Sequence, residues 1–408
     1  MHSYIERVES AISDLRQGKI IILTDHPERE NEGDFIFPAE TITPEIMNFI
    51  IRNSSGIVCL SLCESYRKKL DLPYMVSSHA KMHSHGAPFT APFTISIDAR
   101  YGTATGVSAA DRVKTIQVAI NDHAKPEDLV RPGHIFPLCA KEGGVLERAG
   151  HTEGAVDLMN LAGFKPAAVL CEVMNPDGTM TRGKQLVEFS KQHNIKILSI
   201  EDIISYRMMR ENLIAEEISA ELPLEYHGAF TITVFKEKIT GNEHVVLEKK
   251  PKKTAATLVR IHSACLTGDL FGSMRCDCNH QLHYSLQRIS EDGGMLIYLS
   301  QEGRGIGLFN KIKAYALQEN GLDTIEANEK LGLPVDSRKY YIAANILRNR
   351  GIDHVKLLTN NPAKINDLKK YGIAKVELAP IPVFCNEHNK NYLHVKMLKL
   401  HHIVANLA

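Results

Sequence analysis

Short apolar runs alternate along the chain with segments of helical periodicity, and this alternation limits the folds that it can adopt. In the first half, runs of the length of a buried strand lie at residues 19–24, 57–62, 94–98, 167–173 and 196–200. The segments between them have the apolar spacing of helices at residues 44–53, 108–121, 152–163 and 181–194. This pattern is typical of α/β and α+β domains, in which helices cover a sheet.

The second half shows the same kind of alternation after a break at Leu222-Pro223-Leu224. It opens with two strand-like runs around Thr240-Gly241-Asn242, which predict a hairpin. Further strands are predicted at residues 257–261, 295–299 and 355–359, and helices near residues 280–291, 307–320, 337–349 and 362–371. We therefore predict an α/β fold (α+β in detail) with two consecutive mixed domains, residues 1–205 and 221–408, joined by a linker helix at residues 206–220.

The composition argues against several classes of protein. Basic and acidic residues both number 48, so the net charge is zero and gives no sign of a nucleic-acid-binding surface. No apolar run approaches the roughly 20 residues that cross a bilayer, and the first residues lack the features of a signal peptide. The eight irregularly spaced cysteines favour reduced thiols or metal ligands over a disulfide framework. We expect a cytoplasmic protein with no nucleic-acid or membrane partner.

An acidic segment, Arg29-Glu30-Asn31-Glu32-Gly33-Asp34, follows the first predicted strand and lies beside Asp25 and Glu28. Carboxylates are the ligands that Mg²⁺ prefers, and neighbouring carboxylates in different environments can serve as acid and base. Taken alone, such a segment is more often a solvated loop. Its interpretation therefore depends on what else the chain places nearby.

A second cluster favours the functional interpretation. Arg131-Pro132-Gly133-His134 precedes Arg148-Ala149-Gly150-His151-Thr152-Glu153, which opens a predicted helix with Thr152 as a plausible N-cap. A helix N-terminus beside an arginine can bind a phosphate, and His151 could complete a metal site. Glu172 interrupts an apolar run, so it is either paired at a strand end or catalytic.

In this order along the chain, the motifs resemble 3,4-dihydroxy-2-butanone 4-phosphate synthase, a riboflavin-pathway enzyme, over about residues 1–205. The resemblance rests on the acidic segment and on residues 37–40, 55–59, 105–112, 131–134, 148–153 and 171–172. It implies conversion of D-ribulose 5-phosphate to 3,4-dihydroxy-2-butanone 4-phosphate and formate.

The resemblance also implies roles for individual residues. Glu30 and His151 would hold Mg²⁺ (or Mn²⁺), and Glu32, His134 and Glu172 would assist proton transfer. The implied substrate-binding residues are Arg29, Glu30, Asp34, Arg148, Ala149, Gly150, His151, Thr152 and Glu172. We interpret Cys59 as a buried thiol, and the histidine-rich residues 79–92 as an active-site lid rather than a metal site.

In the second half, Cys265, Cys276 and Cys278 lie within fourteen residues. Three thiolates suggest a zinc ion with one position open for catalysis, although His262, His280 or His283 could close the site and make the zinc structural. A glycine-rich segment, residues 301–308, follows a predicted strand and includes Arg304 at a predicted helix start. Asp336-Ser337-Arg338 adds a carboxylate and a guanidinium at another predicted helix start.

These motifs resemble GTP cyclohydrolase II over about residues 221–400. The resemblance rests on residues 260–263, 265–269, 275–278, 281–282, 301–308, 314–318, 321–324, 326–328 and 357–362. It implies that the guanine ring of GTP is opened, with release of formate and pyrophosphate, to leave a diaminopyrimidinone ribosyl phosphate.

By this resemblance, the three cysteines hold Zn²⁺ and Tyr315 helps in ring opening. Arg338 would act on the α-phosphate as a nucleophile with Asp336 as its base, but a charge-stabilising role deserves equal weight because a guanidinium is a weak nucleophile. The implied GTP-binding residues are Arg260, Ile261, His262, Ser263, Gln281, Glu302, Gly303, Arg304, Thr324, Thr359 and Lys364.

The second half departs from its family at three places. Ala264 stands where the family usually has Glu, Ser300 where it has Arg, and Asn279-His280 where it has a glycine-containing pair. We therefore expect a bifunctional enzyme, with one alternative: an active synthase whose impaired cyclohydrolase-like domain serves dimerisation or GTP sensing. The synthase resemblance also implies a homodimer.

Overall fold

The computed structural model describes residues 3–76, 91–250, 255–334 and 336–400, without the side chains of residues 391, 399 and 400. The chain divides into two compact units, Met1–Arg207 and Met208–Ala408. The first unit ends two residues beyond the predicted domain end. Most of the predicted histidine-rich lid, residues 79–90, lies outside the described residues.

The described part of the first unit contains one mixed sheet with the strand order β4-β5-β3-β6-β2-β1-β7. Its strands are β1 Ile21–Thr24, β2 Gly33–Pro38, β3 Cys59–Leu62, β4 Ile97–Ala99, β5 Leu129–Cys139, β6 Ala167–Glu172 and β7 Lys196–Ser199. Its helices are α1 Ser3–Arg16, α2 Pro44–Arg52, α3 Glu64–Lys69, α4 Ala109–Ala119, α5 His151–Ala162, α6 Gly183–His193 and α7 Ile200–Arg210.

Helices cover both faces of this sheet, which explains why its strands read as continuous apolar runs. Ile22 of β1 packs into one core with Met47 of α2. Its neighbour Ile21 points to the opposite face and packs into a second core with Leu158 of α5. The two cores hold the sheet rigidly, so the loops at its edges start from fixed positions.

The second unit also contains a mixed sheet in its described part, with the order β14-β13-β11-β12-β10-β9-β8. Its strands are β8 Ile214–Leu224, β9 Gly228–Glu237, β10 Glu243–Lys249, β11 Thr257–Ser263, β12 Gly294–Leu299, β13 His354–Leu358 and β14 Lys375–Ala379. Its helices are α8 Cys278–Asp292, α9 Gly307–Glu319, α10 Thr324–Lys330, α11 Tyr341–Asn349, α12 Pro362–Lys370 and α13 Lys390–Leu400.

The parallel strands of this sheet determine where its functional loops meet. β11 runs parallel to both β12 and β13, so their carboxyl ends lie at one edge. The segments that follow these ends carry the cysteine motif, the glycine-rich segment and Thr359. Ligand sites in α/β sheets form at this edge. The predicted hairpin is confirmed as β9 and β10, which pair antiparallel.

The prediction of a linker helix at residues 206–220 is wrong. α7 ends at Arg210, and residues 214–224 form β8, which pairs antiparallel with β9. The apolar residues Ile218, Ala220 and Leu222 alternate with a period of two, the spacing of a strand. β8 lies at the edge of the sheet, where Pro223 is tolerated.

Two strands that carry site residues were not predicted. β2 begins at Gly33 within the acidic segment, and β5 contains the whole of residues 131–134. No helix in the described ranges is long and apolar enough to span a bilayer.

Candidate active sites

The acidic segment of the first unit is held by the side chain of Asp25. One oxygen, Oδ2, accepts hydrogen bonds from the backbone N–H of Glu30 at 2.9 Å and from Arg29 Nη1 at 3.0 Å. The other, Oδ1, accepts from the backbone N–H of Glu32 at 3.0 Å. In the sequence, Asp25 is only a neighbour of the acidic segment. In the structure, its side chain organises the loop that this segment forms.

Asp25, Glu30 and His151 form a cluster in which their ligand atoms lie within 4.8 Å of one another. His151 Nδ1 is 3.6 Å from Glu30 Oε2 and 3.9 Å from Asp34 Oδ2. In the described part of the chain, His151 Nε2 and Asp34 Oδ1 are buried without a hydrogen-bond partner. Buried polar atoms are rarely left unpaired, so these residues fit a divalent cation and an oxygen-rich substrate.

The charges of this cluster are strongly coupled. Burial raises the pKa of Asp34 to about 7. Burial alone would lower the pKa of His151, but the carboxylates of Asp34 and Glu30 outweigh it and raise that pKa to about 9. His151 in turn lowers the pKa of Glu30. A cation bound here would take over the stabilising role of the His151 proton.

The helix that begins at His151 does not have the predicted cap. Its N-cap is Gly150, which offers no side chain, and Thr152 is the second helical residue and buried. A Cβ at Gly150 would lie 2.8 Å from Glu153 Oε2, so the Glu153 carboxylate stands close to the N-cap. Arg148 Nη1 donates to Glu153 Oε2 at 2.6 Å, so the predicted phosphate-binding arginine is held at the helix start.

Glu172 ends β6 and faces Asp34 of β2 in the sheet register. Its Oε2 accepts a hydrogen bond from Ser55 Oγ at 2.7 Å. Glu172 is therefore paired at a strand end while remaining next to the metal-binding cluster. Cys59 is buried, and burial raises its pKa well above the usual value, in keeping with a structural thiol.

His134 is paired with Asp98, a residue that the sequence analysis did not select. The His134 Nδ1 and Asp98 Oδ2 atoms are 2.7 Å apart, and the backbone N–H of His134 donates to Asp98 Oδ1 at 3.0 Å. A Cβ at Gly106 would lie 2.2 Å from Asp98 Oδ2, so only glycine fits beside this pair. Arg112 Nη1 donates to the carbonyl oxygens of His134 at 3.2 Å and Gly56 at 3.4 Å, which ties His134 to the loop carrying Ser55.

Glu32 is engaged by an ion pair with Arg182 and is 17% exposed. Arg29 pairs with Asp25 and also with Glu30, its Nη2 atom lying 2.9 Å from Glu30 Oε1. The structure thus brings Arg29, Glu30, Asp34 and His151 together, and it links Glu172 to them across the sheet.

In the second unit, Cys265, Cys276 and Cys278 converge with their sulfur atoms within 4.8 Å of one another. The Sγ atoms of Cys265 and Cys276 are 3.8 Å apart. Zinc–sulfur bonds of about 2.3 Å in a tetrahedron place two sulfurs about 3.8 Å apart, so this spacing fits Zn²⁺. A Cβ at Gly268 would lie 2.8 Å from Cys276 Sγ, which explains the glycine in this turn.

The three histidines that could close the zinc site are engaged elsewhere. His262 Nε2 contacts Asp269 Oδ1 at 3.0 Å, His280 packs on Phe384, and His283 packs on His227. Within the described ranges, the cluster therefore has three protein ligands, the number typical of catalytic zinc.

A buried lysine that the sequence analysis missed supports the thiolate form. Lys311 Nζ lies 3.2 Å from Cys265 Sγ, 2.9 Å from Thr267 Oγ1 and 2.8 Å from Glu302 Oε1. The neighbouring thiols and Lys311 hold the pKa of Cys265 far below its usual value. Tyr315 OH approaches Thr267 Oγ1 at 3.5 Å on the same wall.

Two adjoining cavities collect nearly all of the predicted GTP-binding residues. The larger, of about 440 Å³, is lined by the three cysteines, Ser263, Glu302, Gly303, Arg304, Tyr315, Thr324 and Arg338. The smaller, of about 70 Å³, is lined by Arg260, His262, Ser263, Gln281, Arg338, Thr359 and Lys364. Ile261 lines neither cavity, and its carbonyl oxygen accepts a hydrogen bond from Lys364 Nζ at 2.7 Å.

The smaller cavity is lined by several basic side chains and, within the described residues, by no carboxylate. Burial lowers the pKa of Arg260 to about 10 and brings that of Lys364 well below its usual value. Arg338 is held by Asp336, with 2.9 Å between Arg338 Nε and Asp336 Oδ1, and its pKa is raised despite burial. Asp336 and Arg338 precede α11, which begins at Tyr341, so their predicted place at a helix start is wrong.

Ala264 and Ser300, two of the positions that depart from the cyclohydrolase family, have defined contacts in the structure. Ala264 lines the larger cavity beside the cysteines, and its backbone N–H donates to the Leu299 carbonyl oxygen at 2.8 Å. Ser300 turns its hydroxyl to the backbone of Glu243, and its backbone N–H donates to His244 Nδ1 at 3.1 Å. Neither supplies a charge to the site.

Comparisons with known proteins agree with this geometry. A family model of 3,4-dihydroxy-2-butanone 4-phosphate synthase matches residues 9–206, and one of GTP cyclohydrolase II matches residues 215–380. Riboflavin biosynthesis protein RibBA of Aquifex aeolicus is 52% identical over 401 residues, which cover 97% of each chain. The chain belongs to the RibBA family. Its relative in Bacillus cereus strain AH187 is 50% identical over 98% of this chain and 99% of the relative.

Among solved structures, RibBX, a two-domain 3,4-dihydroxy-2-butanone 4-phosphate synthase from A. baumannii, is 35% identical with a TM-score of 0.67. The alignment covers 91% of this chain and 99% of RibBX. The prediction of a bifunctional riboflavin-biosynthesis enzyme is confirmed at the level of the RibBA family, in which a synthase domain precedes a cyclohydrolase II domain.

Proposed function

We propose that the first unit converts D-ribulose 5-phosphate to 3,4-dihydroxy-2-butanone 4-phosphate and formate. The cluster of Asp25, Glu30 and His151 carries this proposal, because it offers two carboxylates and an imidazole at metal-binding spacing. Glu30 and His151 would hold Mg²⁺ or Mn²⁺. When bound, the ion supplies Lewis-acid stabilisation of negative charge that develops on the substrate oxygens.

Other residues of the first unit would bind the substrate phosphate and transfer protons. Arg148, fixed by Glu153 at the start of α5, binds the phosphate together with the neighbouring backbone N–H groups. His134, held by Asp98 through Nδ1, offers Nε2 for proton transfer. Glu172 and Glu32 are the other proton-transfer groups, and Ser55 and Arg182 orient them.

We propose that the second unit opens the guanine ring of GTP and releases formate and pyrophosphate. The zinc-like spacing of Cys265, Cys276 and Cys278 beside the 440 Å³ cavity carries this proposal. When bound, Zn²⁺ acts as a Lewis acid in ring opening. Tyr315 lies on the cavity wall for the ring-opening step.

For Arg338, the geometry favours charge stabilisation over nucleophilic attack. Its guanidinium is bound through Nε by the Asp336 carboxylate, and its raised pKa keeps it protonated. A protonated guanidinium has no free electron pair for attack, but it stabilises negative charge on the α-phosphate. Asp336 then acts by orienting Arg338.

One experiment tests both halves: formate release by the purified chain with each substrate, together with zinc quantification. We expect formate from both substrates and about one zinc per chain. Cys276→Ser should remove the zinc and the GTP-dependent formate while leaving the ribulose 5-phosphate reaction intact. Cys385→Ser is the matched control because Cys385 is an exposed cysteine outside the cluster. Zinc without GTP turnover would refute the cyclohydrolase proposal.

The departures at Ala264 and Ser300 call for a second test. If the cyclohydrolase is active as proposed, Ala264→Glu and Ser300→Arg leave robust GTP turnover unchanged within a few-fold. Turnover that appears only in the restored chain would support the alternative of an impaired, GTP-sensing or dimerising domain.

We also propose that the enzyme works in the cytoplasm as a homodimer with ribulose 5-phosphate and GTP as its small-molecule partners. Sedimentation of the purified chain tests the homodimer: a single species of twice the 45.5 kDa chain mass is expected.

A further inference from the structure

The segment that ends the described chain reaches the nucleotide cavities. His388, Tyr392 and Val395 line the larger cavity, and Tyr392 and Lys396 line the smaller one. Neither Tyr392 nor Lys396 was selected from the sequence. Both lie on α13, so one helix contributes to the walls of both cavities.

The turn before this helix is fixed by buried hydrogen bonds. Asn389 is fully buried, and its Nδ2 donates to the carbonyl oxygen of Phe384 at 2.9 Å. The backbone N–H of Asn386 donates to Asn389 Oδ1 at 2.8 Å, and the backbone N–H of Asn389 donates to Asn386 Oδ1 at 3.0 Å. These bonds hold the start of α13 against the body of the unit.

Lys396 extends from α13 toward the zinc cluster. Its Nζ lies 3.2 Å from Asp277 Oδ1, and the side chains are 13% and 2% exposed. Asp277 stands between Cys276 and Cys278, and Gln281 Nε2 also donates to its Oδ2 at 2.6 Å. Lysine has three N–H donors, so this ion pair leaves donors for a further acceptor.

The smaller cavity has more positive than negative groups. Its lining includes the basic residues Arg260, Arg338, Lys364 and Lys396. Among the described residues, Lys364 and Arg260 form hydrogen bonds with backbone carbonyls, Gln281 and His262, and with no carboxylate. Buried cations need a counter-charge, so the cavity is suited to a polyanion.

Tyr392 connects the two cavities. Its ring centre lies 4.4 Å from Lys396 Nζ and 5.5 Å from the Arg304 guanidinium carbon, both within the range of cation–π contact. In the described part of the chain, both terminal nitrogens of Arg304 are buried without a hydrogen-bond partner. The aromatic face therefore holds two cations whose remaining donors are available to a ligand.

We propose that α13 completes the GTP site, with Lys396 contacting the triphosphate and Tyr392 positioning Arg304 and Lys396 around it. This inference rests on the proposed GTP cyclohydrolase function. It predicts that the same residues bind the released pyrophosphate, which presents the same kind of charge.

The test compares Lys396→Met with Lys390→Met, which removes an exposed lysine from the same helix. For Lys396→Met we expect the KM for GTP and the Kd for pyrophosphate to rise about 10- to 100-fold, the effect of a lost charged hydrogen bond. Lys396→Arg should recover most of the affinity. Zinc content and formate release from ribulose 5-phosphate, measured on the same samples, should remain at wild-type values.

Tyr392 provides a second variant in case Lys396→Met disturbs the zinc cluster. Tyr392→Leu removes the aromatic face and should raise the same two constants, whereas Tyr392→Phe should retain them. Constants within twofold of wild type in both Lys396→Met and Tyr392→Leu would overturn the inference.

Pyrophosphate binding, followed by calorimetry, separates this inference from the proposed function. A wild-type chain that binds pyrophosphate but does not turn over GTP would refute the proposed function, and the Lys396 variants would still decide the inference. A wild-type chain that binds neither GTP nor pyrophosphate would overturn both.

Discussion

Asp98→Asn should impair the synthase reaction by changing which nitrogen of His134 carries the proton. The carboxylate accepts two hydrogen bonds from the same residue: Oδ1 from the His134 backbone N–H at 3.0 Å, and Oδ2 from the ring at Nδ1, 2.7 Å away. In asparagine, the amide oxygen has to stay on the backbone N–H. The amide nitrogen then faces Nδ1 and can only donate to it.

The proton of the neutral imidazole consequently moves to Nε2, the nitrogen to which we assign the proton transfer. A base whose reactive nitrogen is already protonated cannot accept a proton, and general acid–base catalysis contributes roughly 10²- to 10⁴-fold to rates. At about 1.4 kcal/mol per tenfold, the expected loss is about 3–6 kcal/mol of transition-state stabilisation. The KM for ribulose 5-phosphate should change little, because the phosphate site that we propose at Arg148 and α5 does not include Asp98.

The assay is formate release from ribulose 5-phosphate, with GTP turnover of the same chain as the internal control for folding. Asp98→Glu keeps a carboxylate and should recover part of the rate. Nitrogen-15 spectra of the His134 ring should show Nδ1 protonated in the wild type and Nε2 protonated in Asp98→Asn. A wild-type kcat in Asp98→Asn, or an unchanged tautomer, would refute the reasoning.

Four other substitutions have defined outcomes. Glu30→Gln and His151→Ala should each abolish Mg²⁺-dependent formate release from ribulose 5-phosphate, and near-normal turnover in either would contradict the metal assignment. Lys311→Met removes the cation 3.2 Å from Cys265 Sγ and should weaken zinc binding about 10- to 100-fold in a chelator competition, with the synthase reaction unaffected. In metal-free protein, Asp34→Asn should raise the melting temperature, and the gain should grow from pH 4 to pH 7 and then level off. Burial raises the pKa of Asp34 from 3.8 to about 7, so the stability that the protonated acid contributes is lost as pH rises through that range. A gain in melting temperature that does not depend on pH would contradict the raised pKa of Asp34.

Local motifs were predictable from the sequence because their chemistry lies in consecutive residues. The acidic segment and the cysteine motif are such cases: Glu30 of the segment and all three cysteines of the motif lie in clusters at metal-binding spacing. The strands that carry Asp34 and His134 were missed because the same residues that serve the site interrupt the apolar pattern of β2 and β5. Strand recognition by periodicity fails where a strand carries polar groups for a site.

Partners that are distant in the chain could not be predicted from spacing at all. Asp98 lies 36 residues before His134, Lys311 lies 46 residues after Cys265, and Lys396 lies 119 residues after Asp277. Only the sheet order and the helix packing bring these pairs together. The linker helix failed for a different reason: charged residues such as Glu216 and Glu217 are typical of a solvated helix, but here they lie exposed on an edge strand.

The two candidate metal sites differ in ligands and fold, but each has an aspartate that fixes the backbone of the loop carrying a ligand. In the first unit, Asp25 accepts two backbone N–H groups and so fixes the loop that presents Glu30. In the second, Asp269 accepts the backbone N–H of Cys265 at 2.9 Å and the Tyr298 hydroxyl at 2.9 Å, and so fixes the loop that presents the first thiolate. In the absence of metal, the like-charged ligands of such a loop would move apart, because their charges repel each other. The backbone N–H groups of the loop would form hydrogen bonds with water instead. A nearly buried carboxylate that occupies those N–H groups keeps the ligands close before any ion binds, and this lowers the conformational entropy lost on binding.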